Sequence, residues 1–224
     1  MRKTVLRPNE EHFVVLEPKD VARASFDVID LINKLGEDSS RTQGLKHIIT
    51  TYSSFSNSDN NRLYILYDDG NTRPVGFIKT GYKHLYIFDV YGFQHEMTPL
   101  CLLDFFVCND VQRRGYGKKM YDYMLKCENV EPQQIAIDRP SPLCLSFMKK
   151  HFGLSEYVPQ TNNFVVFNQY FETKETPSYP KPNISMTPQK PKYHPVDFST
   201  LNQNNNRVST PQKQRYNPIT WEPM

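Results

Sequence analysis

The sequence predicts a mixed α/β domain, a sheet with helices on both faces, followed by a tail that does not fold on its own. Three observations carry this reading. Apolar runs of strand length recur between amphipathic runs of helical period. Two strand-to-helix crossovers stand out, "CLLDFFVCNDVQRRGYGKKMYDYML" and "IAIDRPSPLCLSFMKK". The composition also changes near Phe171: all nine glycines lie before residue 154, whereas nine of the seventeen prolines lie from Glu172 onward, among many Asn, Gln, Ser and Thr. Segments such as "PSYPKPNISMTPQKPKYHP" follow neither period and hold too little apolar surface to offset the entropy of ordering. Residues 1–171 are therefore expected to form the folded domain, and 172–224 a disordered Pro/Asn/Gln-rich basic tail.

Taken in order, "HFVVLEP" reads as a first strand. "DVARASFDVIDLINKLG" reads as a helix with Asp20 as N-cap, Phe26, Ile29, Ile32 and Leu35 on one face, and Gly36 as its stop. A second helix is expected from Ser39 or Ser40, with Gln43 near its start and Leu45, Ile48, Ile49 and Tyr52 on one side. The polar "SSFSNSDNN" reads as a loop. "RLYILYDD" and "RPVGFIKTGYKHLYIFD" are strand-rich and parted by the turn signal "DGN". The aromatics of "YKHLYIFDVYGF" are expected to pack in the core and across strands, with "GFQHEM" as a loop. "TPLCLLDFFVC" is the strongest strand, and "YGKKMYDYMLKC" an amphipathic helix through Met120, Tyr123, Met124 and Cys127. "QQIAID" suits a buried strand, Ser141 and Pro142 open another helix as N-cap and first-turn proline, and "NNFVVFNQYF" closes the domain as a strand.

The tail holds seven Lys/Arg against four Asp/Glu, so it carries the whole formal charge of +3 and the domain before it is neutral. A basic tail suits an acidic polymer, or serves solubility alone. No nucleic-acid recognition motif accompanies it, and nucleic acid is not an expected partner. The cysteines at 101, 108, 127 and 144 form no CxxC pair and do not cluster with histidines at ligand spacing. Free thiols in a reducing compartment and no metal are the expectation. No secretory signal or membrane-length apolar run is present, so no membrane partner is expected.

The glycine pair in "DVQRRGYGKKM" carries the functional signal. A strand that enters a helix through Gly-x-Gly aims several unpaired backbone N–H groups at one spot, where the helix dipole also favours an anion. Arg113, Arg114, Lys118 and Lys119 add positive potential beside Gly115 and Gly117. The dinucleotide fingerprint is incomplete, with no third glycine, and a Walker loop is absent.

In context, "VQRRGYG" resembles the Gln/Arg-x-x-Gly-x-Gly pyrophosphate loop of the GNAT acetyltransferases. Together with "GFIKTGYKHLYIFD", "PLCLLDFFVC", "AIDRPS", "KKHFGL" and "VPQTNNFVVF", the stretch from about residue 10 to Phe171 resembles the catalytic domain of the α-tubulin N-acetyltransferases. The resemblance implies a GNAT-type, mostly antiparallel mixed sheet flanked by helices. It implies transfer of acetyl from acetyl-CoA, as co-substrate, to a lysine of α-tubulin that faces the microtubule lumen. It also implies a cytoplasmic, cytoskeletal place on microtubules, cilia and flagella included.

By position, the implied cofactor contacts begin with Phe105, Phe106, Val107 and Cys108 on the strand. They continue through Gln112, Arg113, Arg114, Gly115, Tyr116, Gly117 and Lys118 in the turn. Ser141, Pro142, Leu143, Ser146, Phe147, Lys149 and Lys150 supply the remainder from the next helix. Arg114 and Tyr116 stand where the vertebrate pattern often has histidines, which bears on detailed contacts rather than on cofactor identity. Two other readings compete: a GNAT with a different amine acceptor, and a microtubule-binding protein with a vestigial acetyltransferase fold.

A lysine amine with a pKa near ~10.4 is almost wholly protonated at pH 7, so the site must accept or dispel a proton and must donate to the developing oxyanion. Backbone N–H groups of "CLLDFFV" suit the second task. Asp138 ends the "IAID" strand, where ligand sites gather in open α/β sheets, and is expected to hold and orient the acceptor lysine. Cys101 is expected to assist proton removal without carrying the acetyl group, and the choice between Asp138 and Cys101 as acceptor stays open. Gln43, in "RTQGL", matches a family position linked to activity; an amide is no base, so its role would be positioning. Asp104 follows Cys101 by three and should point to the opposite strand face, which leaves it out of the catalytic set. By the same parity Cys108 opposes Cys101, while Cys127 and Cys144 read as helix core.

Overall fold

In the computed structural model, residues 6–172 are described. The expected tail therefore lies outside the described residues, apart from Glu172. The chain begins with strand β1 (Phe13–Leu16), a four-residue helix α1 (Pro18–Val21) and the long helix α2 (Phe26–Gln43). Asp20 does not cap α2: it sits within α1, where its carboxylate accepts from the Glu17 N–H at 2.8 Å. Ser25 stands at the N-cap of α2 instead. The buried face of α2 runs through Val28, Ile32, Leu35 and Ser39, and Phe26, expected on that face, is 84% exposed.

Gly36 does not stop the helix. A Cβ there would lie 1.7 Å from the Thr50 carbonyl oxygen, so glycine is needed because the following chain crosses directly over α2. The helix ends seven residues later at Gln43, where Gly44, with a φ of 65°, supplies the left-handed C-cap. The expected second helix is accordingly absent: "LKHIIT" is irregular, with Leu45, Ile48 and Ile49 exposed. Part of the expected polar loop is instead helix α3 (Tyr52–Ser56), opened by Thr51, whose hydroxyl accepts from the Ser54 N–H, and anchored by the buried Phe55.

Strands β2 (Arg62–Tyr67) and β3 (Pro74–Tyr82) follow, then a hairpin of β4 (Leu85–Phe88) and β5 (Gln94–Met97), and then β6 (Leu100–Val107). Helix α4 (Tyr116–Glu128), strand β7 (Ala136–Asp138), helix α5 (Pro142–Phe152), the two-residue strand β8 (Phe164–Val165) and helix α6 (Gln169–Glu172) complete the order. The main sheet runs β1-β2-β3-β6-β7-β8. Every pairing in it is antiparallel except β6 with β7.

Side chains alternate across this sheet into two cores. Leu66, Ile78 and Leu102 meet Met120, Tyr121 and Met124 of α4 and Met148 of α5. On the other face Leu63, Ile65, Phe77 and Phe106 meet Val28, Ile32 and Leu35 of α2. The β4–β5 hairpin forms its own two-stranded sheet. Leu85, Ile87 and Met97 cover Cys101, Leu103 and Ala136, while Tyr86, Phe88, Tyr91 and Phe93 are exposed, with Tyr86 edge to face against His84 at 5.2 Å. "QHEM", expected as loop, is the return strand. Among the described residues no helix is long and apolar enough to cross a membrane, and no group of three or more His, Cys, Asp or Glu could hold a metal ion.

Candidate functional site

The parallel pair β6 and β7 is registered over only two residues, Cys101 with Ala136 and Leu102 with Ile137. Beyond that point the strands part. The gap opens a cleft of about 230 Å³ whose lining includes Gln43, Asp104, Phe105, Asp138, Ser141 and Cys144. At the same place β6 carries a bulge: Lys79 of β3 faces Asp104, yet the next residue, Thr80, faces Leu102. The extra residue reverses the alternation. Leu103 and Asp104 thus fall on the face of Cys101, against the expectation from simple parity, and Asp104 enters the cleft. Cys108 is likewise not opposed to Cys101, since its side chain packs between both cores and its thiol donates to the Pro74 carbonyl at 3.8 Å.

Asp104 is 6% exposed and gathers three donors. Ser39 Oγ donates at 2.9 Å and Gln43 Nε2 at 3.2 Å to Oδ1, and Thr50 Oγ1 donates at 2.6 Å to Oδ2. Gln43 Nε2 also donates to Ser39 Oγ at 2.8 Å. Gln43 is the last residue of α2, not an early residue of a second helix, and it reaches the cleft because Gly44 turns the chain there. Lys79 lies beneath, 4% exposed, with its ammonium donating to the Ile49 carbonyl at 3.0 Å. Burial lowers its pKa, while the Asp104 charge pulls in the opposite direction.

Asp138 ends β7 on the other side of the cleft and pairs with Arg139 Nε at 3.0 Å. The left-handed φ of 42° at Arg139 turns the chain sharply into Pro140 and Ser141. Ser141 caps α5 by accepting from the Cys144 N–H at 3.2 Å. Cys144 packs against the α4–α5 core, as expected of it, and from there also lines the cleft, and burial pushes its thiol up to about 12. Cys127 is exposed on α4 rather than buried.

The structure does not bring Cys101 to the cleft surface. It is fully buried under the hairpin, its Sγ 3.5 Å from the Pro99 carbonyl oxygen, and burial pushes its thiol up to about 12.

The glycine turn sits at the far end of β6. Gln112 folds back to donate to the Val107 carbonyl at 3.0 Å and to Asn109 Oδ1 at 2.9 Å. Arg113 (φ 64°) and Gly115 (φ 89°) are both left-handed, which tightens the chain so that α4 begins at Tyr116. The first α4 N–H groups have no acceptors within the helix and face outward at this end. Gly117 rests on the rings of Phe105 and Phe147, where a Cβ would lie 3.4 and 3.6 Å away.

The other predicted cofactor positions separate into two groups. Phe105 and Val107 point to the α4–α5 side, with Phe105 5.3 Å from Phe147, while the Phe106 ring is buried on the α2 side and leaves only its backbone for the loop. Lys118 is engaged by Asp122 at 2.6 Å and lies 5.0 Å over the Phe152 ring. Pro142, Leu143, Ser146, Lys149 and Lys150 are exposed along α5. Asp104, Ser39 and Thr50 were missed by sequence reasoning, because nothing in "LCLLDF" signals the bulge.

The family described as GNAT acetyltransferase, Mec-17, matches residues 2–195. An α-tubulin N-acetyltransferase of Tetrahymena thermophila is 42% identical over 174 residues, covering 74% of this chain and 43% of the relative. The α-tubulin N-acetyltransferase 1 of Danio rerio is 44% identical over 151 residues, covering 66% and 50%. The chain spans about half the length of these relatives. Among solved structures, the xEco2 acetyltransferase domain bound to a CoA conjugate aligns with a TM-score of 0.48 at 11% identity, over 70% of this chain and 92% of that one.

Proposed function

This chain belongs to the Mec-17 family of GNAT acetyltransferases, and from that premise we propose that it transfers acetyl from acetyl-CoA directly to a lysine of α-tubulin facing the microtubule lumen. The observation that carries the reading is the cleft where β6 and β7 part, with Gln43 and Asp104 on one side, Asp138 on the other, and the Gly115–Gly117 turn at the end of the same strand. The names of the relatives support α-tubulin as the acceptor, and the microtubule setting is part of the proposal.

The helix α4 N-terminus, with Arg113 and Arg114 beside it, suits the pyrophosphate of CoA. The thioester then lies along the β6 edge released from β7, whose backbone N–H groups are the donors for the carbonyl oxygen. The acceptor amine enters between Gln43 and Asp138. Its nitrogen forms a bond to the acetyl carbon as the carbon–sulfur bond breaks, and the amine proton passes to solvent or to the departing thiolate. Asp138 holds and orients the amine. Enclosure of the Cys101 thiol, which keeps its proton at neutral pH, argues against Cys101 as the proton acceptor. Residues 1–171 supply this machinery in the proposal, with 172–224 an appended basic tail.

The test incubates the full chain with labelled acetyl-CoA and three acceptors: assembled microtubules, free tubulin dimers and histones. Label mapped by mass spectrometry to one α-tubulin lysine, strongest on microtubules, is the expected result. Gly117→Leu, which fills the space over Phe105 and Phe147, should abolish it, and Asp138→Asn should lower kcat at least about tenfold while Cys101→Ala retains most activity. Label on histones alone would overturn the acceptor, and label on nothing the activity.

A further inference from the structure

We propose that Asp104 is a positioning residue for this reaction: it fixes the side-chain amide of Gln43 so that the carbonyl oxygen Oε1 serves the cleft as an acceptor for an N–H of the incoming amine. The inference rests on the acetyltransferase reading above.

The donors and acceptors around Gln43 leave its amide one orientation. Three donors, from Ser39, Gln43 and Thr50, converge on the two oxygens of Asp104, the pattern of an ionised carboxylate, which only accepts. The Ser39 hydroxyl has a single hydrogen and spends it on Asp104, so toward Gln43 it too can only accept. Both partners of the Gln43 nitrogen are thus acceptors. Turning the amide over would set its carbonyl oxygen against a carboxylate and a lone pair, so only one orientation survives. With Nε2 held inward by Asp104 and Ser39, Oε1 is the polar atom left on a side chain that lines the cleft.

A neutral primary amine must aim its lone pair at the acetyl carbon, and it is oriented by acceptors for its two N–H groups. Asp138 offers one from β7, and Gln43 Oε1 offers another from the opposite side. The β6 bulge makes this arrangement possible, since without the extra residue the Asp104 side chain would leave the cleft face.

The test is a kinetic double-mutant cycle in the full chain, with microtubules as acceptor. Asp104→Asn gives the partner of Gln43 a donor as well as an acceptor and so frees the amide to turn. It should lower kcat/KM for the acceptor roughly tenfold, the loss of one hydrogen bond in the reacting complex. The KM for acetyl-CoA should stay unchanged. In a Gln43→Ala background the same change should cost less than about twofold, because residues acting through one another are not additive. Ser39→Ala, which removes the second acceptor on the amide but leaves the carboxylate, should couple to Gln43 in the same sense and serves if Asp104→Asn folds poorly. Multiplicative losses in the double variants, or a raised KM for acetyl-CoA, would overturn the proposal. A wild-type chain inactive on microtubules would instead overturn the reading on which it rests.

Discussion

The packing behind the two walls of the cleft differs in its physics. On the α4–α5 side, Phe105, Tyr121, Phe147 and Phe152 meet ring to ring, with centroids between 5.0 and 6.1 Å apart. On the α2 side a single carboxylate, Asp104, ties together Ser39, Gln43 and Thr50, with the buried Lys79 close by. Ring packing is weakly directional, so it loses contact by degrees. A polar cluster shut away from water is different, since each group left unpaired costs its full desolvation. The α2-side wall, proposed for the acceptor, is therefore the brittle one, and the α4–α5-side wall, proposed for the cofactor, the forgiving one.

Asp104→Ala tests that contrast at its strongest. It strips the acceptor from three donors and removes the charge that offsets the burial of Lys79, so the loss should be about 3–5 kcal/mol by urea unfolding. Gly36→Ala should follow, at about 2–3 kcal/mol. Its Cβ would collide with the Thr50 carbonyl at 1.7 Å, which outweighs the ~1 kcal/mol gained from helix propensity. Because Thr50 is a ligand of Asp104, this variant should also raise KM for the acceptor without altering that for acetyl-CoA. Phe147→Ala, which empties half a buried ring site, should cost about 2 kcal/mol. If its loss equals that of Asp104→Ala, the two walls are equally brittle and the distinction fails.

The same contrast explains which parts of the site could be read from the sequence. The cofactor-side wall is written locally: Ser141 and Pro142 open α5 as their types demand, and the glycine turn directly joins a strand to a helix. The acceptor-side wall depends on contacts across 54 to 65 residues, between Asp104 and Thr50, Gln43 and Ser39. Gly36 shows why such contacts stay hidden. A glycine that ends a helix and one that admits a crossing backbone are the same letter, and only the position of Thr50 tells them apart. Gly44, eight residues on, carries the left-handed cap that Gly36 was expected to provide. The bulge at Leu103 has no glycine or proline to announce it, so strand parity sent Asp104 to the wrong face. In the hairpin, alternation was legible but its outcome was not. Leu85 and Ile87 went inward and Tyr86 and Phe88 outward, because the small hairpin sheet covers the core with one face only.

Gly115→Ala probes the weakest constraint in the site. Nothing lies within 4 Å of where its Cβ would stand, so no contact opposes the substitution. The cost is the left-handed backbone alone, at φ 89°, and amounts to about 1 kcal/mol of stability. Asparagine, which tolerates this region better than alanine, should recover part of that loss at the same position. Thermal unfolding of both variants separates conformational strain from ligand contact when acetyl-CoA affinity is measured alongside by calorimetry. A small stability loss with a larger loss of cofactor affinity would show that the turn is shaped for an anion more than for the fold. Losses of equal size would make it an ordinary strand-to-helix corner, and the forgiving character of this wall would then extend to the loop that the proposed function needs most.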